Sequence, residues 1–268
     1  MNLKNMKNLL IIIISLVILL LVLLLLNRFF DKSYYKVSSR IKNINDVKKD
    51  YNYDDFSVVG WLRVQGTNID YPILSDLENK KYPVEIEKYG WINTGDNKYH
   101  NVVNIYGHNI MNLGSQPMVS DETFNRFEEL ASFVYYDVAK KNKYIQLTMN
   151  GKDYIYKVFA VGIISNYGLE TLPIKEYSKD ELKEYLELMY KMSIYDYDVE
   201  TSIDDNFITI STCTRFDNDN HDSIYIAGVQ VDEKTILKNY SVRKNNNYKR
   251  VEKILSGGNS DEDNMEDI

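Results

Sequence analysis

An unbroken apolar run, Leu9 to Leu26, restricts this chain more than any other feature. Its 18 residues include one polar member, Ser15. At ~1.5 Å rise per residue a helix of that length reaches roughly 27 Å, close to the hydrocarbon thickness of a bilayer. A helix buried in a protein core shows a polar face, and this run has none. A cleaved secretory signal would end in small residues of the A-x-A kind. Here Asn27-Arg28-Phe29-Phe30 follows, and the first alanine is Ala131. The expectation is a retained single-pass anchor, residues 1–30, held in the lipid bilayer through residues 9–26. Flanking charge does not orient it. Lys4 and Lys7 precede the run, and Arg28, Lys32, Lys36, Arg40 and Lys42 follow it. A literal cation count puts the rest of the chain inside, but large domains translocate largely regardless of such charge.

Beyond the anchor the texture changes twice. Val37, Ile41, Ile44 and Val47 recur at helical spacing, so residues 31–57 read as a helical linker. From Val58 the pattern is of short strands divided by polar turns: Val58–Val64, Ile69–Ile73, Val102–Tyr106, Tyr144–Met149, Tyr154–Ile164, Phe207–Ser211 and Ile224–Val231. The 23 tyrosines suit strands better than helices. Two helices interrupt. One opens at Ser120-Asp121-Glu122-Thr123 and carries Phe124, Phe127, Leu130 and Ala131. The other opens at the capping box Ser178-Lys179-Asp180-Glu181, followed by Leu182, Tyr185, Leu186 and Met189. The reading is a mostly β barrel or sandwich over 58–232, followed by a polar tail, 233–268, ending in the acidic stretch 261–267. A net charge of −7 with no long basic block argues against a nucleic-acid partner.

Chemistry in such a chain has few carriers. With one cysteine, Cys213, no internal disulfide forms. The three histidines, His100, His108 and His221, show no metal-ligand spacing with it. No Gly-x4-Gly-Lys-Ser/Thr phosphate loop occurs, so neither a metal nor a cofactor is expected. His108 ends the apolar strand Asn104-Ile105-Tyr106-Gly107, and Cys213 ends the alternating run Ile208-Thr209-Ile210-Ser211-Thr212. Two strand ends can join a thiol to an imidazole across a long gap in sequence, and an imidazole beside a thiol favours the nucleophilic thiolate. Taken singly, a lone cysteine is more often a small buried residue, and His108 an ordinary strand-end residue.

Four segments shift that balance. Gly60-Trp61-Leu62, Gly66-Thr67-Asn68-Ile69-Asp70-Tyr71-Pro72-Ile73, Ile105-Tyr106-Gly107-His108-Asn109 and Thr209-Ile210-Ser211-Thr212-Cys213 occur in this order. Together they resemble a sortase, most closely class B, over roughly Tyr51 to Val231. The resemblance implies an eight-stranded β-barrel with an N-terminal helix and an inserted helix before the cysteine strand. It implies a membrane-anchored cysteine transpeptidase on the outer face of a Gram-positive cell. Cys213 would attack a surface protein's C-terminal sorting-signal peptide, and a cell-wall peptide amine would take the acyl group from the thioester. His108 would be the proton carrier, with Ser211 and Thr212 at the substrate. The family also carries an arginine on the strand after the cysteine. An ungapped alignment places Ser223 there, which leaves Arg215 as the arginine nearest the thiol and the candidate to hold the oxyanion. Two other readings share these residues: a thiol peptide hydrolase, and a weakened sortase-like binding module.

Overall fold

The computed structural model describes residues 6–8, 12–23, 56–67, 69–76, 90–92, 99–107, 109, 127–165, 175–214, 222–232 and 240–256. His108, His221, Arg215, the stretch 31–55, the helix start expected at Ser120 and the acidic stretch 261–267 lie outside the described residues. The chain divides into two units, Met1–Ser39 and Arg40–Ile268. The first contains helix α1, Met6–Leu23, long and apolar enough to cross a membrane. Its side chains from Ile12 to Leu23 are exposed.

The second unit is built on eight strands: β1 Phe56–Val64, β2 Asp70–Asp76, β3 Gly90–Ile92, β4 Val102–Gly107, β5 Tyr144–Met149, β6 Lys152–Ser165, β8 Phe207–Thr214 and β9 Asp222–Val231. They close in the order β1-β2-β3-β4-β8-β9-β6-β5, with β5 returning to β1 from Gly60↔Met149 to Val64↔Ile145. The β5–β6 turn is Asn150-Gly151, both at positive φ (53° and 74°), the pairing that matches a tight hairpin to strand twist. Apolar residues of alternate positions fill the closed sheet: Leu62, Val64, Ile73, Ile105, Ile145, Leu147, Ile208, Ile210, Ile224 and Ile226 are all essentially inaccessible. The mostly β barrel expected from the sequence is the observed fold.

The inserted helix before the cysteine strand is α3, Lys179–Met192; α2, Tyr136–Lys141, follows a 3-10 helix at Phe127–Val134. Ser178 Oγ accepts from Glu181 N, and Glu181 reaches back to Ser178 N at 2.8 Å, closing the expected capping box. The face Leu182, Tyr185, Leu186 and Met189 buries itself against Val102, Tyr106, Phe159, Phe207, Tyr225, Ala227 and Val229 of the sheet. Full burial of such side chains contributes about 1.5–3 kcal/mol each. Tyr225 Oη donates to Met189 O at 2.5 Å, fixing α3 on β9 at its C-terminal end.

One expectation is corrected. Part of the stretch read as a solvated tail is ordered: β10, Val242–Lys244, pairs antiparallel with β7, Tyr195–Tyr197, and α4 covers Tyr248–Leu255. Tyr240, Val242, Tyr248 and Val251 are buried there, giving the segment an apolar side that its lysines and asparagines conceal in sequence.

Candidate active site

β8 lies between two unlike neighbours. β4 runs parallel to it, from Val102↔Phe207 to Gly107↔Thr212, and β9 runs antiparallel, from Phe207↔Val229 to Thr214↔Asp222. The first pairing ends one residue short of both expected catalytic side chains, since His108 follows Gly107 as Cys213 follows Thr212. A side-chain bond fixes that end: Thr212 Oγ1 donates to Gly107 O at 2.6 Å. Gly107 is also where backbone and ring meet closely. A Cβ there would stand 2.3 Å from the Phe127 ring, so only glycine lets the 3-10 helix close on the strand end.

Alternation sets which face the thiol occupies. Phe207 belongs to the apolar cluster under α3, and Thr209 Oγ1 lies 2.8 Å from Tyr185 Oη of that helix. Ser211 and Cys213 follow on the same face. On β9, Tyr225, Ala227 and Val229 belong to the cluster, which puts Ser223 on that face too, directly across the ladder from Cys213. Paired residues of antiparallel strands hold their Cβ atoms about 4.5–5.5 Å apart. Cys213 is half-buried. Ser223 is buried, and its hydroxyl has no hydrogen-bond partner among the described residues. Burial pushes the Tyr185 hydroxyl pKa up, so it stays neutral beside Thr209.

Ser211 and Thr212, assigned by the sequence to the substrate, are both buried, and the Thr212 hydroxyl is engaged by Gly107. His100 stands apart from the thiol. It precedes β4 at the strand's opposite end, where its Nδ1 lies 3.6 Å from Glu176 Oε2. At ~3.3 Å per residue, β4 alone puts roughly 16 Å between that end and Gly107.

Sequence reasoning missed two residues beside the site. Asp222, opposite Thr214, is completely buried, and Arg250 Nη2 of α4 lies 3.5 Å from its Oδ2. The available signal was the three-residue spacing of Tyr248 and Val251, the two buried residues of that helix.

A family model described as the Sortase domain matches residues 62–231. A sortase B of Listeria monocytogenes is 28% identical over 199 residues, covering 68% of this chain and 74% of the relative. Among solved structures, a mutant form of Clostridium perfringens sortase B aligns with a TM-score of 0.55 at 20% identity, over 75% of this chain and 95% of that one. A Staphylococcus aureus sortase B–substrate complex gives a TM-score of 0.55 at 16% identity, over 77% of this chain and 94% of the other. At such identities the two structures bear on the fold.

Proposed function

The chain belongs to the sortase family, and from that premise we propose which of its residues carry out a transpeptidation that begins at Cys213. A sortase-type cysteine transpeptidase serves surface-protein anchoring, and the class B relatives place this chain in that group. The Cys213 thiolate attacks a backbone carbonyl carbon of a sorting-signal peptide. The carbonyl oxygen takes up the charge, the C–N bond breaks, and the departing amine receives a proton from the His108 imidazolium. The acyl group then rests on Sγ as a thioester. An incoming cell-wall amine attacks it, gives a proton to His108, and expels the thiolate.

The observation that supports this reading is the parallel ladder ending at Gly107↔Thr212. It brings together two chain positions, each followed by one member of the thiol–imidazole pair. The Thr212–Gly107 hydrogen bond makes Thr212 a positioning residue in this scheme. Arg215, two residues past the nucleophile, is assigned to the oxyanion, because a guanidinium is always charged and offers several N–H donors. Ser223 in the opposite strand is short and uncharged. Residues 1–30 serve as the anchor, with α1 crossing the bilayer and the catalytic domain, 58–232, outside, linked through 31–57.

Mass spectrometry of the detergent-solubilised chain with a panel of sorting-signal peptides tests the proposal. A thioester adduct on Cys213, discharged faster by amines than by water, is the expected result. Discharge at one rate with or without amine means a peptide hydrolase. Noncovalent peptide binding with no adduct means a binding module.

A further inference from the structure

The stretch that matches the family model ends at residue 231, before β10 and α4. We propose that this C-terminal unit is a working part of the catalytic domain, with Arg250 a positioning residue that holds the β8–β9 corner through Asp222. The claim that the corner serves catalysis rests on the assignment of Cys213 above; the claim that Arg250 holds it does not.

The unit is fixed at several points. β10 pairs with β7 from Val242↔Tyr197 to Lys244↔Tyr195. Asn245 and Asn247 each donate from Nδ2 to Ser193 O at 2.8 Å, and Asn247 Nδ2 also donates to Lys191 O at 2.9 Å. These bonds tie the start of α4 to the end of α3. Tyr248 and Val251 are buried, and the Tyr248 ring lies 5.3 Å from that of Tyr195. Arg250, between them in sequence, is therefore delivered from a braced helix.

Its target is placed where small shifts reach the nucleophile. Asp222 opens β9 and pairs with Thr214 on one side and Ser165 on the other. The next rung of the same ladder is Cys213↔Ser223. A carboxylate with no solvent exposure is costly to keep ionised without a positive partner. Arg250 is 43% exposed and Asp222 0%, so the guanidinium brings charge to the buried carboxylate from the solvent side. Without it, the buried carboxylate loses a positive partner brought by α4, and the corner it belongs to is held less firmly. The apolar seat of α4 and the buried acid thus act on one another through the Arg250 side chain.

The test uses the full chain in detergent. Arg250→Gln is expected to lower kcat for peptide transfer roughly tenfold, the size of a one-unit change in log rate, with KM nearly unchanged. Arg250→Lys should restore most of it. In an Asp222→Asn background, where no buried charge needs a partner, Arg250→Gln should have little further effect. Amide hydrogen exchange should quicken in Arg250→Gln at Thr212–Thr214 and Asp222–Ile224 and nowhere else in the barrel. The exchange measurement stands even if no peptide acylates the wild-type chain, so failure of the proposed function is told apart from failure of this inference. Equal losses from Arg250→Gln in both backgrounds overturn it, as does unchanged exchange at the corner or exchange raised throughout the barrel. If Arg250→Gln alone does not fold, the double variant must fold; a double variant that also fails overturns the inference.

Discussion

The two ends of the β4–β8 pair use their polar groups in opposite ways. At the start, polar groups flanking the strands are joined in a network. Phe207 N donates to Asn101 O at 2.7 Å, and Asn101 and Tyr177 exchange two bonds at 2.8 and 2.9 Å. Tyr99 Oη meets both Tyr156 Oη and Gln230 Oε1 at 2.8 Å, and Asn206 Nδ2 donates to the same Gln230 oxygen at 3.2 Å. Burial raises the Tyr99 pKa to about 12, so this network does not titrate near neutrality. At the other end, Cys213 is half-buried and faces Ser223, whose buried hydroxyl has no hydrogen-bond partner among the described residues. The network at the start serves stability, whereas the other end presents a half-buried thiol beside a buried hydroxyl. On the mechanism proposed above, stability and chemistry sit at opposite ends of one strand pair.

Substitutions at each end can break this contrast. Cys213→Ala should abolish peptide acylation, a loss on the order of 10⁴-fold or more, while the melting curve stays unchanged. Adduct formation by the folded mutant would remove Cys213 from the mechanism. His108→Ala should slow turnover by roughly 10²–10⁴-fold, the range for a lost general acid–base. His100→Ala, at the closed end, should leave kcat within about twofold. Comparable losses in the two would end the division of labour. Arg215→Ala should slow acylation by roughly 10²–10³-fold, as for one missing oxyanion donor. Wild-type acylation by that variant would leave the oxyanion to backbone amides or Ser223. Asn101→Ala should cost about 1–3 kcal/mol of stability by freeing two bonds to Tyr177, visible in chemical denaturation, with kcat unaltered.

The smallest effect concerns pH. Bonds from Lys175 and from the Ser178 backbone and hydroxyl hold the Glu181 carboxyl at a pKa of about 2. Because the folded pKa is depressed below the ordinary value of about 4.3, the carboxylate's contribution is complete above that value. It disappears as pH falls toward about 2. Acid titration of helicity should therefore separate wild type from Glu181→Gln slightly at neutral pH and bring the curves together at the acid end.

Much of this architecture was legible, and the exceptions have physical causes. Val102–Gly107 follows from its short, mostly apolar run, and Tyr144–Met149 from the alternation of Ile145, Leu147 and Met149 with polar residues. β8 and β9 run longer than the sequence suggested because Thr212–Thr214 and Asp222–Ser223 are polar, yet their ladder partners keep them extended. β3 is three residues long and gives too little pattern to read. The helix face of Leu182, Tyr185, Leu186 and Met189 was clear because spacing and cap agreed. α4 was obscured because its two buried residues, Tyr248 and Val251, lie among lysines and an arginine. Cys213 and His108 could be named as strand-end residues, but pairing of β4 with β8 is set by closure of the sheet, which no local pattern encodes. Asp222 gave no sign of burial, since an aspartate beside a polar loop ordinarily faces water.

The bond from Thr212 to Gly107 joins positions 105 residues apart. Contacts of that separation bear a large loop-closure entropy and form late in folding. Because β4 and His108 precede Cys213 in the chain, they emerge first from the ribosome, and the strand pair is completed only when β8 follows and the sheet closes. On the mechanism proposed above, the thiol is thus the last member of its pair to be made, and no reactive pair exists until the barrel is nearly complete.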